Sequence, residues 1–268
     1  MKIASLVVFK NEADILPAWL KHYENQVDYF LFRDNESTDN GLEIVKKHPK
    51  TVFTEIVKGT FYTNMWDKLI DEAQKFLGSE DWFTIAAPDL FPFFSMKEEI
   101  GKLAGSSYNC IETYYPVFFF TKEMYQKYIK FPIYQQKIDE FDISHYSYFQ
   151  VTGHKMPLLI KNVNNEKGRV RYTKPKQEPP FIPGMNSYKS ELCIGHYRFR
   201  SPQQMQQRMV VRKKVNPNRE KSKSFKHYPT WNWENYLLPE KYLHKFEGAF
   251  VRNQLNIVSL DKLLSKMK

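Results

Sequence analysis

Short apolar runs alternate with segments of helical periodicity through the first hundred or so residues of this 268-residue chain. Ile3–Phe9 is a continuous apolar run fit for a central strand, and apolar side chains at helical spacing follow it from Glu12 to about Asn25. Strands that alternate with amphipathic helices are typical of βαβ units, whose strands lie parallel. The pattern therefore predicts an α/β fold with a Rossmann-like, mostly parallel central sheet flanked by helices.

The same periodicities predict the other elements. Further strands are expected at Tyr29–Phe32, Thr51–Val57, Trp82–Ala87 and Asn109–Phe120. Further helices are expected from Asn40-Gly41, over Thr63–Leu77, after a Ser95 cap, and over Gln203–Lys214 with Ser201 as its cap. Residues 121–150 have no clean period, and residues 162–190 are rich in Asn, Lys and Pro, which is typical of loops. The C-terminal part is expected to be a helical and irregular extension.

Polar side chains follow three of the predicted strands at the point where each ends. They are Asn11 and Glu12 after the first strand, Asp34 and Asn35 after the second, and Asp89 after Trp82–Ala87. Open α/β sheets bind ligands outside the carboxyl ends of their strands, so we expect these groups to border one crevice, as in an enzyme. Each acid also has a local interpretation: an Asx turn for Asp34, a charge at a helix N-terminus for Glu12, and a strand-end turn for Asp89.

Charge and cysteine usage limit the partners and the compartment. The chain has 40 Lys+Arg against 30 Asp+Glu, a net charge of +10, which favours anionic partners without choosing among nucleotides, lipid headgroups and nucleic acid. Cys110 and Cys193 lie far apart and have no CxxC partner, which indicates neither a disulfide framework nor a cysteine zinc site. The N-terminal apolar run is too short for a secretory leader or a membrane span, so we expect a cytoplasmic protein.

Several function classes lack their sequence signatures. No GxGxxG follows the first strand, and neither GxxxxGK[ST] nor GxSxG occurs, which argues against a dinucleotide dehydrogenase, a P-loop kinase and a serine hydrolase. A nucleic-acid-binding protein is an alternative suggested by the charge and the aromatic content. The aromatic residues, however, lie mainly inside apolar runs such as Tyr114–Phe120, so no specific nucleic-acid partner is expected.

Four separated blocks resemble one branch of the family 2 glycosyltransferases, which have the GT-A fold. The blocks are Val8–Leu20 with its Lys10-Asn11-Glu12, Asp34–Asp39 (DNESTD), Trp82–Phe91, and Gly195–Ser201 (GHYRFRS). The resemblance covers roughly residues 3–120 and 193–210. It implies a hexosyltransferase-type enzyme that moves a sugar from a nucleotide-sugar, usually a UDP-sugar, to an acceptor hydroxyl with inversion, in surface glycan or polysaccharide biosynthesis.

The resemblance also implies roles for individual residues. Asn11, Glu12 and Asn35 match positions around the nucleoside pocket, and Asp34 matches the acid that recognises the uracil edge. Asp89 matches the second acid of the DxD motif, which holds Mn²⁺ or Mg²⁺ against the donor diphosphate. His196 matches a further metal or diphosphate contact, with a hydrogen-bonded structural histidine as the alternative. Arg198 and Arg200 are candidates to grip the leaving diphosphate, because guanidinium binds phosphate bidentately.

The chain departs from the family at the metal motif. The usual Asp-x-Asp-Glu reads Ala87-Pro88-Asp89-Leu90, so the first carboxylate and the following Glu are both missing. Mg²⁺ and Mn²⁺ prefer oxygen ligands, commonly one or two carboxylates together with substrate phosphates. The departure leaves two interpretations open: a weak or absent metal site in an active enzyme, and a catalytically degenerate glycosyltransferase-like binding or scaffold protein.

Inverting transfer needs a base that takes the acceptor proton. The dense acidic cluster in the second half comprises Asp139, Glu140 and Asp142, which makes these three the candidates, with Asp142 or Glu140 preferred. A solvated turn is the competing interpretation. The resulting division of the chain is a nucleotide-sugar-binding half over residues 1–110, an acceptor-side half over 111–215, and a basic, aromatic extension over 216–268.

The basic extension suggests a membrane partner. A run of cations with a single acid is formed by Arg208, Arg212, Lys213, Lys214, Arg219, Lys221, Lys223 and Lys226. It is followed by Trp231, Trp233, Tyr236 and Leu237-Leu238, and then by the basic amphipathic segment Ile257–Met267. Cations and aromatics in this order suit an anionic membrane surface, while a solvated face is the alternative. Docking at the inner face of a membrane suits an enzyme with a glycan or lipid-linked acceptor.

Overall fold

The computed structural model describes residues 1–59, 65–152, 156–165, 168–171, 180–215, 232–250 and 252–265. The chain forms two compact units. The first unit consists of Met1–Thr113 and Lys155–Ile194, and the second of Tyr114–His154 and Gly195–Lys268. Residues 155–194 thus belong with the N-terminal part of the chain, which differs from the division at residues 110 and 215 expected from the sequence.

The strands, in chain order, are β1 (Ile3–Phe9), β2 (Tyr29–Asp34), β3 (Thr51–Ile56), β4 (Trp82–Ala86), β5 (Leu90–Pro92), β6 (Cys110–Tyr114), β7 (Pro116–Phe119), β8 (Tyr148–Val151), β9 (Met156–Lys161), β10 (Asn164–Asn165), β11 (Gly168–Arg169), β12 (Ser187–Phe199) and β13 (His244–Lys245). The α-helices are α1 (Leu16–Tyr23), α2 (Gly41–Lys46), α3 (Met65–Ala73), α4 (Met96–Gly101), α5 (Lys122–Lys130), α6 (Pro132–Asp139), α7 (Pro202–Val215) and α8 (Leu260–Ser265). Short 3₁₀ turns lie at Ile143–His145, Trp233–Tyr236, Glu240–Tyr242 and Arg252–Leu255.

The sheet of the first unit has the strand order β6-β9-β4-β1-β2-β3. β1 pairs in parallel with β2 and with β4, and β2 pairs in parallel with β3. β9 runs antiparallel to both of its neighbours, β4 and β6. The predicted α/β fold with a mostly parallel central sheet is therefore confirmed.

Helices cover both faces of this sheet. On one face, Met65, Leu69 and Ile70 of α3 pack in a core with Leu6 and Leu31. On the other, Trp19 of α1 lies with its ring centroid 5.5 Å from that of Phe30. Because side chains alternate along a strand, a central strand between two helical layers is buried on both faces, and all seven residues of β1, including Ser5, are buried.

The sequence predicted some helix caps and helix ends correctly and others incorrectly. The predicted caps Ser95 and Ser201 are confirmed, since Ser95 Oγ accepts from the backbone N–H of Glu98 and Ser201 Oγ accepts from that of Gln204. Asn40 precedes α2 as expected but makes no side-chain cap. The predicted helix Thr63–Leu77 is observed as Met65–Ala73, with residues 63 and 64 outside the described ranges.

The long strand predicted over Asn109–Phe120 is observed as two strands, β6 and β7, separated at Tyr115. Pro116 has no backbone N–H to donate to a ladder, so an apolar run through it is interrupted even though its periodicity is unbroken. The boundary between the two units also falls here, after Thr113.

The second unit has the strand order β13-β8-β7-β12. β7 is parallel to β12, and β8 is antiparallel to both β7 and β13. Its core is aromatic: the Phe118 and Tyr197 rings stack with centroids 4.7 Å apart, and Phe149 and Phe250 lie against the same cluster. Within the described ranges, every helix falls short of the length and apolar character that crossing a bilayer requires.

Candidate functional site

The three strand-end acids lie along one edge of the first unit's sheet. Asp34 is the last residue of β2 and is paired in register with Phe9, the last residue of β1. Glu12 follows β1 by three residues, and Asp89 follows Ala86, the end of β4, by the same number. Because β2, β1 and β4 are adjacent and parallel, their carboxyl ends share this edge. The strand ends expected at one edge are observed there, and the ligand crevice that the acids were expected to border stays a prediction.

The strand order places a topological switch point at this edge. From β1 the chain adds β2 and β3 on one side and then returns to add β4 on the other side. The crossover helices α1, between β1 and β2, and α3, between β3 and β4, therefore lie on opposite faces of the sheet. The carboxyl edge between β1 and β4 is where open α/β sheets of this order hold ligands. Glu12 and Asp89 follow the two strands that flank the switch point. All three acids are at least nine-tenths buried, at 7%, 3% and 2% exposure for Glu12, Asp34 and Asp89.

The loops after β1 and β2 are joined by side chains. Asn11 has a φ of 53°, a left-handed conformation that Asn tolerates better than most residues. Its backbone N–H donates to Ser37 Oγ at 2.9 Å, and its Oδ1 accepts from the backbone N–H of Thr38 at 2.7 Å. Asp39 Oδ2 accepts from the backbone N–H of Ala13. Asn11 thus fixes the loop geometry at the edge, and its contact with a nucleoside stays a prediction.

Asp34 and Asn35 also hold the edge together. Asp34 Oδ1 accepts from the backbone N–H of Ser37 at 2.8 Å and from its hydroxyl at 2.5 Å, which is the Asx-type turn considered as the local interpretation. Asn35 Nδ2 donates to the carbonyl oxygens of Val57 and Gly59, joining the β2 loop to the end of β3. These contacts are structural, so recognition of a uracil edge by Asp34 or of a nucleoside by Asn35 stays a prediction.

Asp89 lies in a tight turn that α1 supports. The backbone N–H of Leu90 donates to the carbonyl of Ala87 at 3.0 Å, closing a turn with Asp89 at its third position. The indole N–H of Trp19 donates to the Leu90 carbonyl at 3.1 Å, and a ring nitrogen of His22 lies 2.7 Å from the Pro92 carbonyl. Sequence reasoning placed Trp19 only in the helix core. The signal for a second role is that Trp19 and His22 are three positions apart and so share one helix face.

Glu12 begins the connection into α1 through its main chain. Its carbonyl oxygen accepts from the backbone N–H groups of Ile15 and Leu16, each at 3.1 Å. The helix itself starts at Leu16 after an Ile15 cap residue that makes no side-chain cap. The first turn contains no acid. A helix-dipole role for the Glu12 charge, the local interpretation, stays a prediction.

The residues at this edge fit a metal only in a limited way. Nowhere among the described residues do three or more His, Cys, Asp or Glu side chains form a cluster suited to a metal ion. Ala87 contributes a methyl group where the family has a carboxylate. One carboxylate, Asp89, suits only a cation whose other ligands are phosphate oxygens and water, which is a common arrangement for Mg²⁺.

The Gly195–Ser201 block belongs to the second unit, whereas Asp89 belongs to the first. His196 Nδ1 lies 3.2 Å from Arg198 Nη2. Arg200 is 1% exposed, and its Nη1 donates to the carbonyl of Tyr197 at 3.1 Å. Arg208 donates to the carbonyl of Arg198 at 2.9 Å. Arg200 thus has a buried structural contact. Metal binding by His196 and diphosphate binding by Arg198 and Arg200 stay predictions.

The acidic cluster lies at the end of α6 in the second unit. Asp139 is the last residue of α6 and accepts from the Tyr128 hydroxyl at 3.1 Å, and Glu140 accepts from Gln136 Nε2 at 2.9 Å. Asp142 Oδ1 accepts from the backbone N–H of Ser144. Burial raises the pKa of Asp142, but the hydrogen bonds from Ser144 and the nearby His145 and Lys137 outweigh it, so the pKa lies below its usual value. Asp142 is therefore ionised at neutral pH, as a base must be.

Part of the expected membrane surface is buried. Tyr236 and Leu238 are fully buried, and the Tyr236 ring stacks on Phe199 at 4.8 Å, so these residues belong to the core of the second unit rather than to an interfacial belt. Leu260 and Leu263 of α8 are likewise buried. The cations at 219, 221, 223 and 226, together with Trp231, lie outside the described residues. The side chains at 212–214 are also outside them.

A polar cleft of about 700 Å³ lies elsewhere in the first unit. Its lining includes Ser107, Tyr108, Asn109, Asn162 and Gly184. Asn109 immediately precedes β6 and Asn162 immediately follows the antiparallel β9, so this cleft lies at the amino edge of the parallel strands, opposite the acids. No motif in the sequence singled out these residues for chemistry.

Comparison with known proteins places the chain only coarsely. No protein-family model matches it, and no curated protein sequence matches it. It is similar to mannose-6-phosphate isomerase from Helicobacter pylori (14% identity over 43% of this chain and 51% of that one, TM-score 0.32). It is similar to glucosyl-3-phosphoglycerate synthase from Mycobacterium tuberculosis in complex with phosphoglyceric acid (15%, 42% and 44%, TM-score 0.31). It is also similar to HddC from Yersinia pseudotuberculosis (10%, 76% and 96%, TM-score 0.37).

The chain thus spans about half the length of the first of these proteins and less than half of the second. At these identities and TM-scores, the likenesses carry no information about the activity of this chain.

Proposed function

We propose that the chain is a glycosyltransferase that moves a sugar from a nucleotide-sugar, most simply a UDP-sugar, to an acceptor hydroxyl with inversion. The observation that carries the proposal is the row of three buried acids at the carboxyl edge of β2, β1 and β4, with the switch point between β1 and β4. Acids are rarely buried without a structural or binding role. Ligand binding at such an edge is the general rule for open α/β sheets.

The proposal divides the edge into two parts. Asn11, Glu12, Asp34 and Asn35 bind the nucleoside, because they follow β1 and β2. Asp89 faces the diphosphate and is the single protein carboxylate for Mn²⁺ or Mg²⁺, which supplies charge neutralisation to the leaving group when it is bound. In support, the Asp89 turn is fixed by the Trp19 indole, as preorganised electrostatic stabilisation requires.

The proposal also assigns a base and a cation for the leaving diphosphate. Asp142 is the preferred base, with Glu140 and Asp139 as alternatives, and Arg198 is the preferred cation for the leaving diphosphate. Asp142 is exposed and Arg198 half-buried, whereas Arg200 is engaged by the Tyr197 carbonyl. The acceptor is a glycan or a lipid-linked precursor, consistent with the net charge of +10.

A second candidate is a glycosyltransferase-like binding protein without catalysis. One observation favours it: Ala87 and Leu90 replace two of the acids expected around Asp89, and the described residues contain no cluster of three metal-ligating side chains. Turnover separates the two candidates. Donor hydrolysis or transfer that is lost in Asp89→Ala excludes the binding protein, whereas donor binding without any turnover favours it.

The direct test of class and donor is a thermal-shift screen of UDP-, GDP-, ADP- and CMP-sugars, each with and without Mn²⁺. The proposal expects one donor to raise the melting temperature, because a ligand that binds only the folded state stabilises it by mass action. A donor at about 100 times its Kd adds roughly 2.7 kcal/mol. A folded protein that no nucleotide-sugar stabilises under either condition contradicts the proposal.

A further inference from the structure

Helices α5 and α6 of the second unit are joined by a single residue. α5 ends at Lys130, and Pro132 opens α6. Phe131, between them, has an extended backbone with φ −126° and ψ 106°, because a residue before proline is disfavoured in the helical region. Its N–H still donates to the Lys127 carbonyl, and its own carbonyl accepts from the N–H of Tyr134. The turn is therefore sharp and ordered.

The inner face of this helical pair is anchored. Met124 of α5 and Ile138 of α6 are 5% and 1% exposed. Thr121 Oγ1 accepts from the N–H of Met124 and caps α5, and the Tyr128 hydroxyl donates to Asp139, joining the two helices. These contacts hold the pair from its inner face.

The tip exposes three large apolar side chains, which we call the α5–α6 corner. Ile129 is 61% exposed, Phe131 54% and Ile133 66%. Among the described residues, no other stretch of five positions contains three exposed large apolar side chains. Lys130 and Pro132, between them, are also exposed, so the corner is a continuous outward surface.

Between the flanking acids Glu123 and Asp139, the charged side chains of the α5–α6 corner are all cations. Residues 124–138 contain Lys127, Lys130 and Lys137 and no acid. All three lysines are exposed, and Lys137 lies near enough to Asp142 to lower the pKa of that carboxyl. Two copies of this surface would repel each other. Lysine is also depleted at the centre of protein–protein interfaces, which weighs against a protein partner.

We propose that the α5–α6 corner inserts into the interfacial layer of a membrane that carries anionic headgroups. Ile129, Phe131 and Ile133 enter the boundary between headgroups and acyl chains, and the three lysines contact the lipid phosphates. Apolar side chains flanked by cations are the arrangement that binds such surfaces, with both burial and charge contributing. The proposal uses none of the basic C-terminal residues and does not depend on the proposed function.

The test is flotation of the full-length chain with vesicles of phosphatidylcholine alone and with vesicles of phosphatidylcholine mixed with anionic phosphatidylglycerol, whose surface attracts cations. We expect wild type to partition onto the anionic vesicles, and this binding to fall as the salt concentration rises.

Ile129→Ser/Phe131→Ser/Ile133→Ser should weaken vesicle binding at least about tenfold. Lys127→Gln/Lys130→Gln/Lys137→Gln should weaken it at least about tenfold on anionic vesicles. The matched control Val52→Ser/Ile56→Ser, two exposed apolar side chains on β3, should bind like wild type.

Three outcomes overturn the proposal. The first is no binding of the wild-type chain to anionic vesicles, and the second is wild-type binding by both corner variants. The third is unchanged vesicle binding combined with a lower molar mass of the triple-serine variant in light scattering, which would make the corner a contact between copies. Circular dichroism and thermal melting check that each variant is folded. If the serine variant fails to fold, the glutamine variant decides, because it leaves the apolar side chains in place.

Discussion

Asp34 serves the fold whether or not it meets a ligand, because its Oδ1 accepts two hydrogen bonds from Ser37. Asp34→Asn keeps an acceptor oxygen and removes the charge, whereas Asp34→Ala removes both. We expect the Asn variant to unfold within about 1 kcal/mol of wild type and the Ala variant to lose about 1–3 kcal/mol. Urea denaturation measures both.

The same pair of variants separates the two roles of Asp34. Binding of the donor identified in the screen should be weakened about tenfold or more by Asp34→Asn, because an amide changes the acceptor pattern offered to a base edge. Wild-type affinity in the Asn variant, with loss of stability only in the Ala variant, would assign Asp34 to the turn alone.

His22 gives the first unit a pH-dependent stability. Burial lowers the pKa of His22, and the hydrogen bond to the Pro92 carbonyl offsets part of that effect. The folded-state pKa therefore lies below the ordinary value of 6.5, so the unfolded chain binds the proton more readily. Stability that is present at neutral pH should be lost as the pH falls below that value.

The measurement is the free energy of unfolding by urea between pH 7.5 and pH 5.5 for wild type and His22→Gln, a window set by the ordinary histidine pKa near 6.5. One such group contributes at most about 1.4 kcal/mol per pH unit. We expect the Gln variant to have a flatter profile by up to this amount. Equal slopes in the two proteins would show that His22 is not held neutral by the fold.

Helix α1 supports the turn that carries Asp89. Trp19→Phe keeps an aromatic ring against Phe30 but removes the indole N–H that donates to the Leu90 carbonyl. We expect a loss of about 1–3 kcal/mol, since a buried carbonyl loses its donor. We also expect weaker donor binding, since the turn is no longer fixed. Trp66→Phe, on α3 at the other face of the sheet, should leave donor affinity unchanged. Loss of stability without any change in affinity would remove α1 from the account of the site.

The elements of the parallel half could be predicted from the sequence because their signals are local. The bounds of β1 are predicted to the residue, and those of β2, β3 and β4 are predicted to within two residues at each end. β9 could not be placed. Its partners β4 and β6 are about 70 and 45 residues earlier in the chain, and periodicity carries no information about pairing over such distances. The single strand predicted over Asn109–Phe120 was wrong for a related reason. The apolar pattern continues without a break across the boundary between the two units, so it does not mark the end of β6.

The positions of the candidate site residues could be predicted from the sequence, but their hydrogen bonds could not. Parallel strands bring Glu12, Asp34 and Asp89 to one edge, which follows from topology once the strands are known. Hydrogen bonds made by Asn11, Asp34 and Asn35 join the loops at this edge. These bonds depend on side-chain geometry, which sequence spacing does not specify. Burial of Tyr236 and Leu238 was missed because aromatic and basic residues adjacent in sequence were taken as one surface.

At the scale of the whole molecule, the first unit is built from two separated segments whose ends are neighbours. Thr113 of β6 pairs with Met156 of β9, and the two strands are antiparallel. A two-residue turn such as Asn-Gly can therefore replace residues 114–155 and form a hairpin. We expect this shortened chain, ending at residue 194, to unfold cooperatively in urea with its circular dichroism intact.

The control for the shortened chain is the fragment 1–113. It lacks β9, whose Leu158, Leu159 and Ile160 are fully buried between β4 and β6, so we expect it not to unfold cooperatively. A shortened chain that behaves like the fragment would show that the first unit does not fold on its own.

The central claim is that the carboxyl edge beside β4 binds the diphosphate of a nucleotide. Isothermal titration of UDP with Mn²⁺ into wild type, Asp89→Asn and Glu80→Gln tests it most directly. Glu80 is a matched control, since it is an exposed carboxylate just before β4, at the opposite edge of the same strand. We expect wild type and Glu80→Gln to bind UDP with equal affinity. We expect Asp89→Asn to bind it at least about tenfold more weakly, a loss of about 1.4 kcal/mol in binding free energy. Equal affinity in all three proteins, or no binding by folded wild type, would contradict the central claim.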